Sequence, residues 1–258
     1  MTTDGGATWV KRASPGVIYD IQAAKGSTYA MVSTCGNPNS CQDEALYEVA
    51  SDGSAFSRVN GVPNVSLGSE LETHGSSAYI LARPTNFDTG QIVLWRSLSD
   101  EPWQPVATPC TWTGAVFGSV SAWSSSGLAL VCGAPPGAGM QLKFAYHSTD
   151  SGSTWSNPSQ IHSKPGYVSD LAAANENTWV LGEARGGMLV THDAGQNWSL
   201  PKFTSEQKGG GIEGWGRVDY ITAEEAVAVP WTLNGAVIAL SNDSGASWNV
   251  EAFPSPRG

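Results

Sequence analysis

Charge is scarce in this sequence, and positive charge is scarcer than negative charge. Charged residues make up 14% of the 258 residues, and 13 Lys and Arg stand against 23 Asp and Glu, which gives a formal net charge of −10. Such a surface repels duplex nucleic acid and anionic membranes, so neither is expected as a partner. No apolar run approaches the roughly 18 residues that a transmembrane helix needs, so no membrane span is predicted.

Metal-binding and nucleophile motifs are also missing. The four His and four Cys are spread along the chain without the spacing of a zinc site, and the sequence contains neither a Gly-x-Ser-x-Gly elbow nor a His-Glu-x-x-His motif. We therefore expect no metal and no cofactor. The 11 Trp exclude a disordered chain, and 30 Gly with 15 Pro indicate many turns and few helices.

One short pattern recurs six times along the chain. It reads Ser/Thr-x-Asp-x-Gly-x-Ser/Thr/Asn-Trp, and we call it the box; four copies are complete and two are degraded. The six box aspartates are Asp4, Asp52, Asp100, Asp150, Asp193 and Asp243. The aromatic residues that close the boxes lie 43 to 52 residues apart: Trp9, Phe56, Trp103, Trp155, Trp198 and Trp248. A period of about 40–50 residues with strand-rich content is typical of propeller blades.

The residue types of the box explain its shape. The aspartate can accept backbone N–H groups within its own turn, and the glycine supplies a positive φ. The Ser or Thr hydroxyl can tie the start of the turn to its end, while the Trp ring covers the hairpin. A box aspartate resembles a calcium ligand or a catalytic acid, but six-fold repetition favours a structural role.

The segments between the boxes predict the fold. Each contains two short β-rich runs joined by a turn, and a third run leads into the next box. With the strand after the box, each repeat supplies four antiparallel strands, so we expect an all-β protein, a β-propeller. First and second strands are expected within 19–33, 69–81, 118–131, 169–181 and 218–229.

The count of repeats bears on domain organisation. Six boxes but five pairs of first and second strands predict five full blades plus a partial N-terminal one. On this interpretation residues 1–258 form a single propeller domain that is truncated at its N-terminus, and the intact protein has six or seven blades. The alternative is a five-bladed ring with an N-terminal hairpin packed across its closure.

The box resembles the Asp-box, or BNR repeat. That repeat is found in sialidases, xyloglucan-degrading glycoside hydrolases, Vps10-type receptors and photosystem II assembly factors of the Hcf136 type. The resemblance covers essentially the whole chain and implies a sialidase-like propeller scaffold, on which these families carry different functions. In sialidases an arginine triad binds the sugar carboxylate, and one arginine lies in a Phe/Tyr-Arg-Ile-Pro motif, which this sequence lacks. Arg83, Arg185 and Arg217 are the arginines that could form such a triad.

The four cysteines fall into two local pairs. Cys35 and Cys41 bracket a short loop, and Cys110 and Cys132 flank the first hairpin of one blade. Two disulfides and an oxidising compartment are expected, and buried free thiols are the alternative. With the Ser-, Thr- and Gly-rich loops, this favours a secreted or cell-envelope protein of bacterial origin.

One position is predicted to repeat at the start of each first strand. Its residues are Asp20, Glu70, Ser119, Asp170 and Asp219. They would either line a channel with negative charge or bind the backbone of the next blade, and their repetition favours the second reading.

Candidate ligand-binding residues are those that break the repeat. On the face opposite the boxes we expect loops at 201–217, 82–91, 183–187 and 230–236. The strongest candidates are Trp215, Arg217 and Glu213, which combine an indole, a guanidinium and a carboxylate. Further candidates are Arg83, Asp88, Arg185 and Trp231, with Trp112 as an additional aromatic wall. An indole stacks on sugar rings and an arginine binds carboxylates or hydroxyls, whereas ordinary surface loops with local salt bridges are the alternative.

The function expected from the sequence is ligand binding at these loops. The ligand would be a glycan or another protein, because propeller loops commonly present binding surfaces without chemistry. The first alternative is an exo-acting glycoside hydrolase of sialidase-like fold, which needs two carboxylates across a cleft. The second alternative is a scaffold or assembly factor.

Overall fold

The chain folds into β-structure throughout the part that the computed structural model describes. The described residues are 2, 7–24, 26–34, 43–66, 68–83, 91–99, 101–112, 117–137, 140–162, 166–185, 187–203, 212–232 and 237–252. They fall into two compact units, Met1–Ala107 and Thr108–Gly258. Over these residues, no helix is long and apolar enough to cross a membrane.

Unit 1 contains two four-stranded antiparallel sheets, the first two predicted blades. Blade 1 consists of β1 (Val17–Ala24), β2 (Ser27–Ser33), β3 (Asp43–Val49) and β4 (Phe56–Arg58), and β5 (Val65–Ser66) adds to the start of β3. Blade 2 consists of β6 (Glu70–His74), β7 (Ser77–Ala82), β8 (Val93–Leu98) and β9 (Gln104–Ala107).

Unit 2 contains the other three blades. Blade 3 consists of β10 (Phe117–Ala122), β11 (Leu128–Gly133), β12 (Lys143–Ser148) and β13 (Ser159–Ile161). Blade 4 consists of β14 (Tyr167–Ala173), β15 (Trp179–Ala184) and β16 (Met188–Thr191), with a single bridge from Val190 to Ser199 as its fourth strand. Then come β17 (Lys202–Phe203) and blade 5, with β18 (Ile212–Tyr220), β19 (Ala226–Thr232), β20 (Val237–Ser241) and β21 (Ser247–Ala252). Blade 5 carries β17 parallel to β21.

The five predicted strand pairs and their third strands are confirmed. Two expectations need comment. The described residues 10–16, which follow the first box aromatic, contain no strand, and Asp4 and Asp100 lie outside the described residues. The loop expected at 201–217 is wrong from residue 212 onwards, because β18 already begins at Ile212. Two β-bulges, at Ile212/Gly214 and Trp215/Arg217, let this glycine-rich segment keep its pairing with β19.

The complete boxes within unit 2 form one hydrogen-bonded turn each, as predicted. The Oδ1 of each box aspartate accepts the backbone N–H four residues later at 2.8 Å. The box Ser or Thr hydroxyl donates to the same carboxylate and accepts the glycine N–H at 2.8–3.1 Å. Gly195 has a φ of 79°, and a Cβ there would lie 2.7 Å from the Trp179 ring. Glycine is therefore needed both for the turn and for the packing beneath it.

These bonds act on the ionisation of the aspartates. Donation by the backbone and hydroxyl of Thr154, and by the Ser148 hydroxyl, lowers the pKa of Asp150 to about 2. For Asp193, desolvation is the largest contribution and raises the pKa, but donation from Asn197 and Thr191 outweighs it and the pKa is lowered. The box aspartates are thus bound as charged turn-forming groups.

Apolar residues fill the spaces between successive blades within each unit. In unit 2, one core joins blades 3 and 4 around Trp179, and another joins blades 4 and 5 around Trp248 and Trp215. In unit 1, Leu71 and Ile80 of blade 2 pack with Met31 and Leu46 of blade 1.

One predicted disulfide is confirmed. Cys110, just before blade 3, is bonded to Cys132 in β11, with the two Cα atoms 5.4 Å apart. Cys35 and Cys41 lie outside the described residues, so their pairing stays a prediction.

Candidate functional site

The strand register changes one member of the series that was predicted to repeat at the start of the first strands. Asp170 pairs with Gly182 and is followed by Leu171, and the residue in the same place in blade 5 is Arg217, which pairs with Val229. The expected fifth member, Asp219, lies two residues further along β18. The bulges of β18 add residues to this strand, which spacing along the sequence does not reveal.

Two acidic members of this series, Asp20 and Asp170, bind the next blade, as repetition suggested. Asp20 accepts the N–H of Leu71 at 3.2 Å, and Asp170 accepts the N–H of Val218 at 2.7 Å. In blade 3 the corresponding Ser119 is shorter, and its buried hydroxyl has no hydrogen-bond partner among the described residues. Ser121 makes the inter-blade bond instead, because it accepts the N–H of Ala173 at 3.0 Å.

Arg217 breaks this series with a change of sign. Its Nη1 lies 3.6 Å from Oδ1 of Asp170, and its side chain is 54% exposed. Asp170 therefore holds the Val218 amide with one oxygen and faces the guanidinium with the other. The result is an exposed cation anchored by a carboxylate that is only 10% exposed.

Gly214 lets the backbone around a second arginine, Arg185, approach β18. Ala184 at the end of β15 pairs with Gly214, and a Cβ on Gly214 would lie 2.7 Å from the backbone N of Arg185. Only glycine permits this approach. Arg185 is exposed, and its guanidinium lies 6.0 Å from the centre of the Tyr167 ring. Among the described residues it is the only positive-φ residue other than glycine outside the boxes, with a φ of 59°.

The indole of Trp215 is buried. It is 3% exposed and belongs to the core between blades 4 and 5. Phe203 stacks on it, with ring centres 5.5 Å apart and planes 12° from parallel. Phe203 is itself 42% exposed, so it presents an aromatic surface for which Trp215 is the support. Phe203 could not be predicted from the sequence, because its neighbour in space, Trp215, lies twelve positions away along the chain.

A buried ion pair connects blades 3 and 4 close to these residues. Nζ of Lys143 lies 2.6 Å from Oε1 of Glu183, with side-chain exposures of 1% and 2%. Lys143 also donates to the carbonyl of Gly166 at 3.0 Å. Beside it, Gln141 donates to the carbonyl of Ala134 and accepts the N–H of Val168. A charged residue inside an apolar strand was the sequence signal for this pair, since buried charges need partners.

These residues lie at one end of the unit 2 strands. Because neighbouring strands are antiparallel, the start of β12, β14 and β18 and the end of β15 meet at the end opposite the boxes. We call this the box-distal edge of unit 2, and its described side chains are Gln141, Lys143, Tyr167, Asp170, Glu183, Arg185 and Arg217.

The remaining predicted site residues are placed as follows. Glu213 in β18 and Trp231 in β19 have their backbone at the box-distal edge, where Trp231 pairs with Gly214, but their side chains lie outside the described ones. Trp112 is half-buried and stacks on Phe144 at 5.3 Å.

Arg83 belongs to unit 1, where its backbone N–H donates to Ser69, and Asp88 lies outside the described residues. Ligand binding by all these residues stays a prediction.

Metal chemistry finds no support in the described side chains. Within the described ranges, no group of three or more His, Cys, Asp or Glu could hold a metal ion. The box-distal edge offers two exposed arginine side chains, one of them 6.0 Å from the Tyr167 ring, on a frame of buried polar contacts.

Solved structures place the fold among the β-propellers. The Penicillium chrysogenum α-L-arabinanase complexed with arabinobiose matches with a TM-score of 0.57 and 12% identity, over 91% of this chain and 80% of that one. YCF48 from Cyanidioschyzon merolae matches with a TM-score of 0.55 and 16% identity, over 96% of this chain and 76% of that one. YCF48 bound to D1 peptide matches with a TM-score of 0.48 and 17% identity, over 73% of this chain and 54% of that one, so the chain spans about half of that length.

The other two comparisons return nothing. No protein-family model matches the chain, and no curated protein matches it. The strand pairing and the similar solved structures together show that the fold is an all-β propeller of four-stranded antiparallel blades. Propellers of similar structure include both an arabinanase and YCF48, so similarity of fold leaves both enzymatic and binding functions open.

Proposed function

We propose that this protein is a binding protein whose ligand, an acidic glycan, docks at the box-distal edge of unit 2. The observation that carries the proposal is the sign change at Arg217. In blades 1 and 4 the same position is an aspartate that bonds the next blade. Arg217 instead presents a guanidinium on a side chain that is 54% exposed, which suits a ligand carboxylate.

The surroundings of Arg217 support this ligand class. A guanidinium can bind a carboxylate through two parallel hydrogen bonds, and Arg185 adds a second exposed guanidinium nearby in the fold. Phe203, whose partly exposed ring stacks on Trp215 two residues before Arg217, supplies an apolar face of the kind on which sugar rings stack. The protein as a whole carries a net charge of −10 and repels anions. An anionic ligand is therefore attracted by these two arginines and not by the surface in general.

The carboxylates at this edge favour binding over hydrolysis. A glycosidase needs two carboxyl groups that can reach the sugar. Of the described carboxylates, Glu183 is buried against Lys143 and Asp170 is engaged by Val218 and Arg217. Both are therefore committed to the frame of the site.

A glycan array tests the proposal. The wild-type protein should bind glycans that carry uronic or sialic acids in preference to their neutral counterparts, and Arg217→Gln should remove that preference. Arg58→Gln, which changes an exposed arginine of unit 1, is the matched control and should bind as wild type does. An array without any glycan signal would contradict the proposal and would favour a protein ligand. Turnover of a fluorogenic sialoside would favour the hydrolase alternative.

We also propose that the protein works in an oxidising compartment, outside the cytoplasm. The Cys110–Cys132 disulfide supports this, because such bonds persist mainly in secreted and cell-envelope proteins. Alkylation of the protein isolated from its native source tests the proposal. These two cysteines should resist alkylation until the protein is reduced, and two free thiols would contradict the proposal.

A further inference from the structure

Arg185 holds a backbone conformation that arginine rarely adopts. Its φ of 59° lies in the left-handed region, which is unfavourable for any residue with a Cβ. The other non-glycine residues with positive φ in the described ranges lie in the box turns, where the repeat requires them. Glycine stands at the next two positions of the sequence, yet this turn has arginine in the left-handed position. A strained backbone of this kind is typical of residues that serve a function.

The backbone on which Arg185 stands is fixed from two sides. Ala184, which precedes it, pairs with Gly214 of blade 5, and a Cβ on Gly214 would lie 2.7 Å from the backbone N of Arg185. One residue earlier, the buried carboxylate of Glu183 is paired with Lys143 of blade 3. The arginine is therefore presented from a rigid position at the seam between blades 4 and 5. A group that is held in place before the ligand arrives loses less freedom on binding.

The charge of Arg185 is less compensated than that of Arg217. Nη1 of Arg217 lies 3.6 Å from Oδ1 of Asp170, and this carboxylate offsets part of its charge. Within the described ranges Arg185 makes no ion pair, and its guanidinium lies 6.0 Å from the centre of the Tyr167 ring. Of the two exposed arginines at the box-distal edge, Arg185 therefore exerts the stronger attraction on an anion from solution.

A bulge in β14 puts the contacts of the two arginines on one side of the strand. Tyr167 and Asp170 are three positions apart, and in a regular strand they would lie on opposite sides. The register shifts between Val168 and Asp170. Val168 packs in the core with blade 3, so its neighbour Tyr167 lies on the side of blade 5, where Asp170 accepts the N–H of Val218. Three residues of strand separate the two contacts by roughly 10 Å.

We infer that Arg185 and Tyr167 form a second anion subsite, and that the ligand carries carboxylates on at least two sugar residues. The inference rests on the proposed function, in which Arg217 binds a carboxylate of an acidic glycan. Contacts that are roughly 10 Å apart are too distant for one carboxylate to bridge, so a second carboxylate binds Arg185. An aromatic ring engages the face of a guanidinium and leaves the N–H groups at its edge for the ligand. The ligand class is thus a glycan with repeated uronic acid residues, and not one with a single terminal acidic sugar.

Calorimetric titration with oligogalacturonates of one to six residues tests the inference. Each oligomer is compared with the same oligomer after reduction of its carboxyl groups to alcohols, so the ratio of the two Kd values measures the effect of the carboxylates at each length. In the wild-type protein this ratio should rise at least tenfold between the single residue and the oligomer that reaches the second arginine. In Arg185→Gln the ratio should not rise with length, whereas Arg58→Gln, in unit 1, should follow wild type.

Arg185→Gly separates a role in binding from a role in the turn. Glycine adopts a positive φ without strain, so this variant should have a Tm no lower than that of wild type. It should nevertheless lose the rise with length, as Arg185→Gln does. A Tm clearly below that of wild type would show that Arg185 serves the turn itself, and it would overturn the inference.

The same titrations separate the inference from the proposed function. A wild-type ratio that favours the acidic oligomers equally at every length would overturn the second subsite and leave the proposed function standing. An equal rise with length in wild type and Arg185→Gln would do the same. A wild-type protein that binds acidic and reduced oligomers alike at every length would overturn both.

Discussion

Lys143 and Glu183 form an ion pair of 2.6 Å between blades 3 and 4, with both side chains almost fully buried. The pair lies under the exposed residues of the box-distal edge, since Glu183 is followed by Ala184, which pairs with Gly214, and by Arg185. The frame of the site is thus polar and buried, whereas its ligand-facing groups are exposed.

Removal of one partner should be costly. Glu183→Gln leaves the Lys143 ammonium buried without its counter-ion, and we expect a loss of about 3–5 kcal/mol in the free energy of unfolding. Urea denaturation measures the loss. The double variant Lys143→Met/Glu183→Gln is the control, and it should recover part of the stability because no charge remains buried. A single variant within about 1 kcal/mol of wild type would contradict the buried pair.

The box aspartates should matter for stability and not for binding. Asp193→Ala removes the acceptor for Asn197 and Thr191, and it should lower the free energy of unfolding by about 1–3 kcal/mol. Asp52→Ala, in a degraded box where the aspartate accepts from Ser54, should have a smaller effect. Ligand affinity should be unchanged in both, so a loss of binding without a loss of stability would refute the structural role.

Acid should reveal the ionised turn. Because the pKa of Asp150 in the folded protein is about 2 and about 3.9 in an unfolded chain, its contribution to stability is complete above about pH 4. It is lost as the pH falls towards 2. The difference in free energy of unfolding between wild type and Asp150→Asn should therefore shrink from pH 5 to pH 2. A difference that stays constant over this range would show that the carboxylate charge is not what the turn binds.

The disulfide should stabilise blade 3. Cys110 and Cys132 are 22 residues apart, and the double variant Cys110→Ser/Cys132→Ser should lose roughly 3 kcal/mol, largely because the unfolded chain is no longer cross-linked. Peptide mapping without reduction should find this bond and should also test the predicted Cys35–Cys41 bond. Four alkylatable thiols in the native protein would contradict both.

The fold could be predicted because its information is local and repeated. The box needs Asp, Gly and a hydroxyl at fixed spacing, and the hydrogen bonds of Asp150, Asp193 and Asp243 follow that spacing. Turn residues mark the ends of the strands between the boxes, so the bounds of these strands could be predicted within a few residues.

The site was less predictable because its contacts depend on register. The bulges of β18 move Arg217 into the place expected for Asp219, and they allow Gly214 to reach the backbone of β15. The prediction that Trp215 offers a ring to a ligand did not foresee its position in the core, where Phe203 covers it. A pairing such as Lys143 with Glu183 links residues 40 positions apart, which no local pattern specifies.

Calorimetric titration of Arg217→Gln against an acidic glycan from the array tests the central claim most directly. The comparison ligand is the same glycan with its carboxyl groups reduced to alcohols. Because a hydrogen bond to a charged group contributes about 1.5–3 kcal/mol, Kd for the acidic glycan should rise about 10- to 100-fold in the variant. Kd for the reduced glycan and the Tm should be those of wild type, and Arg58→Gln should change neither affinity. Equal affinity of wild type and Arg217→Gln for the acidic glycan would contradict the account.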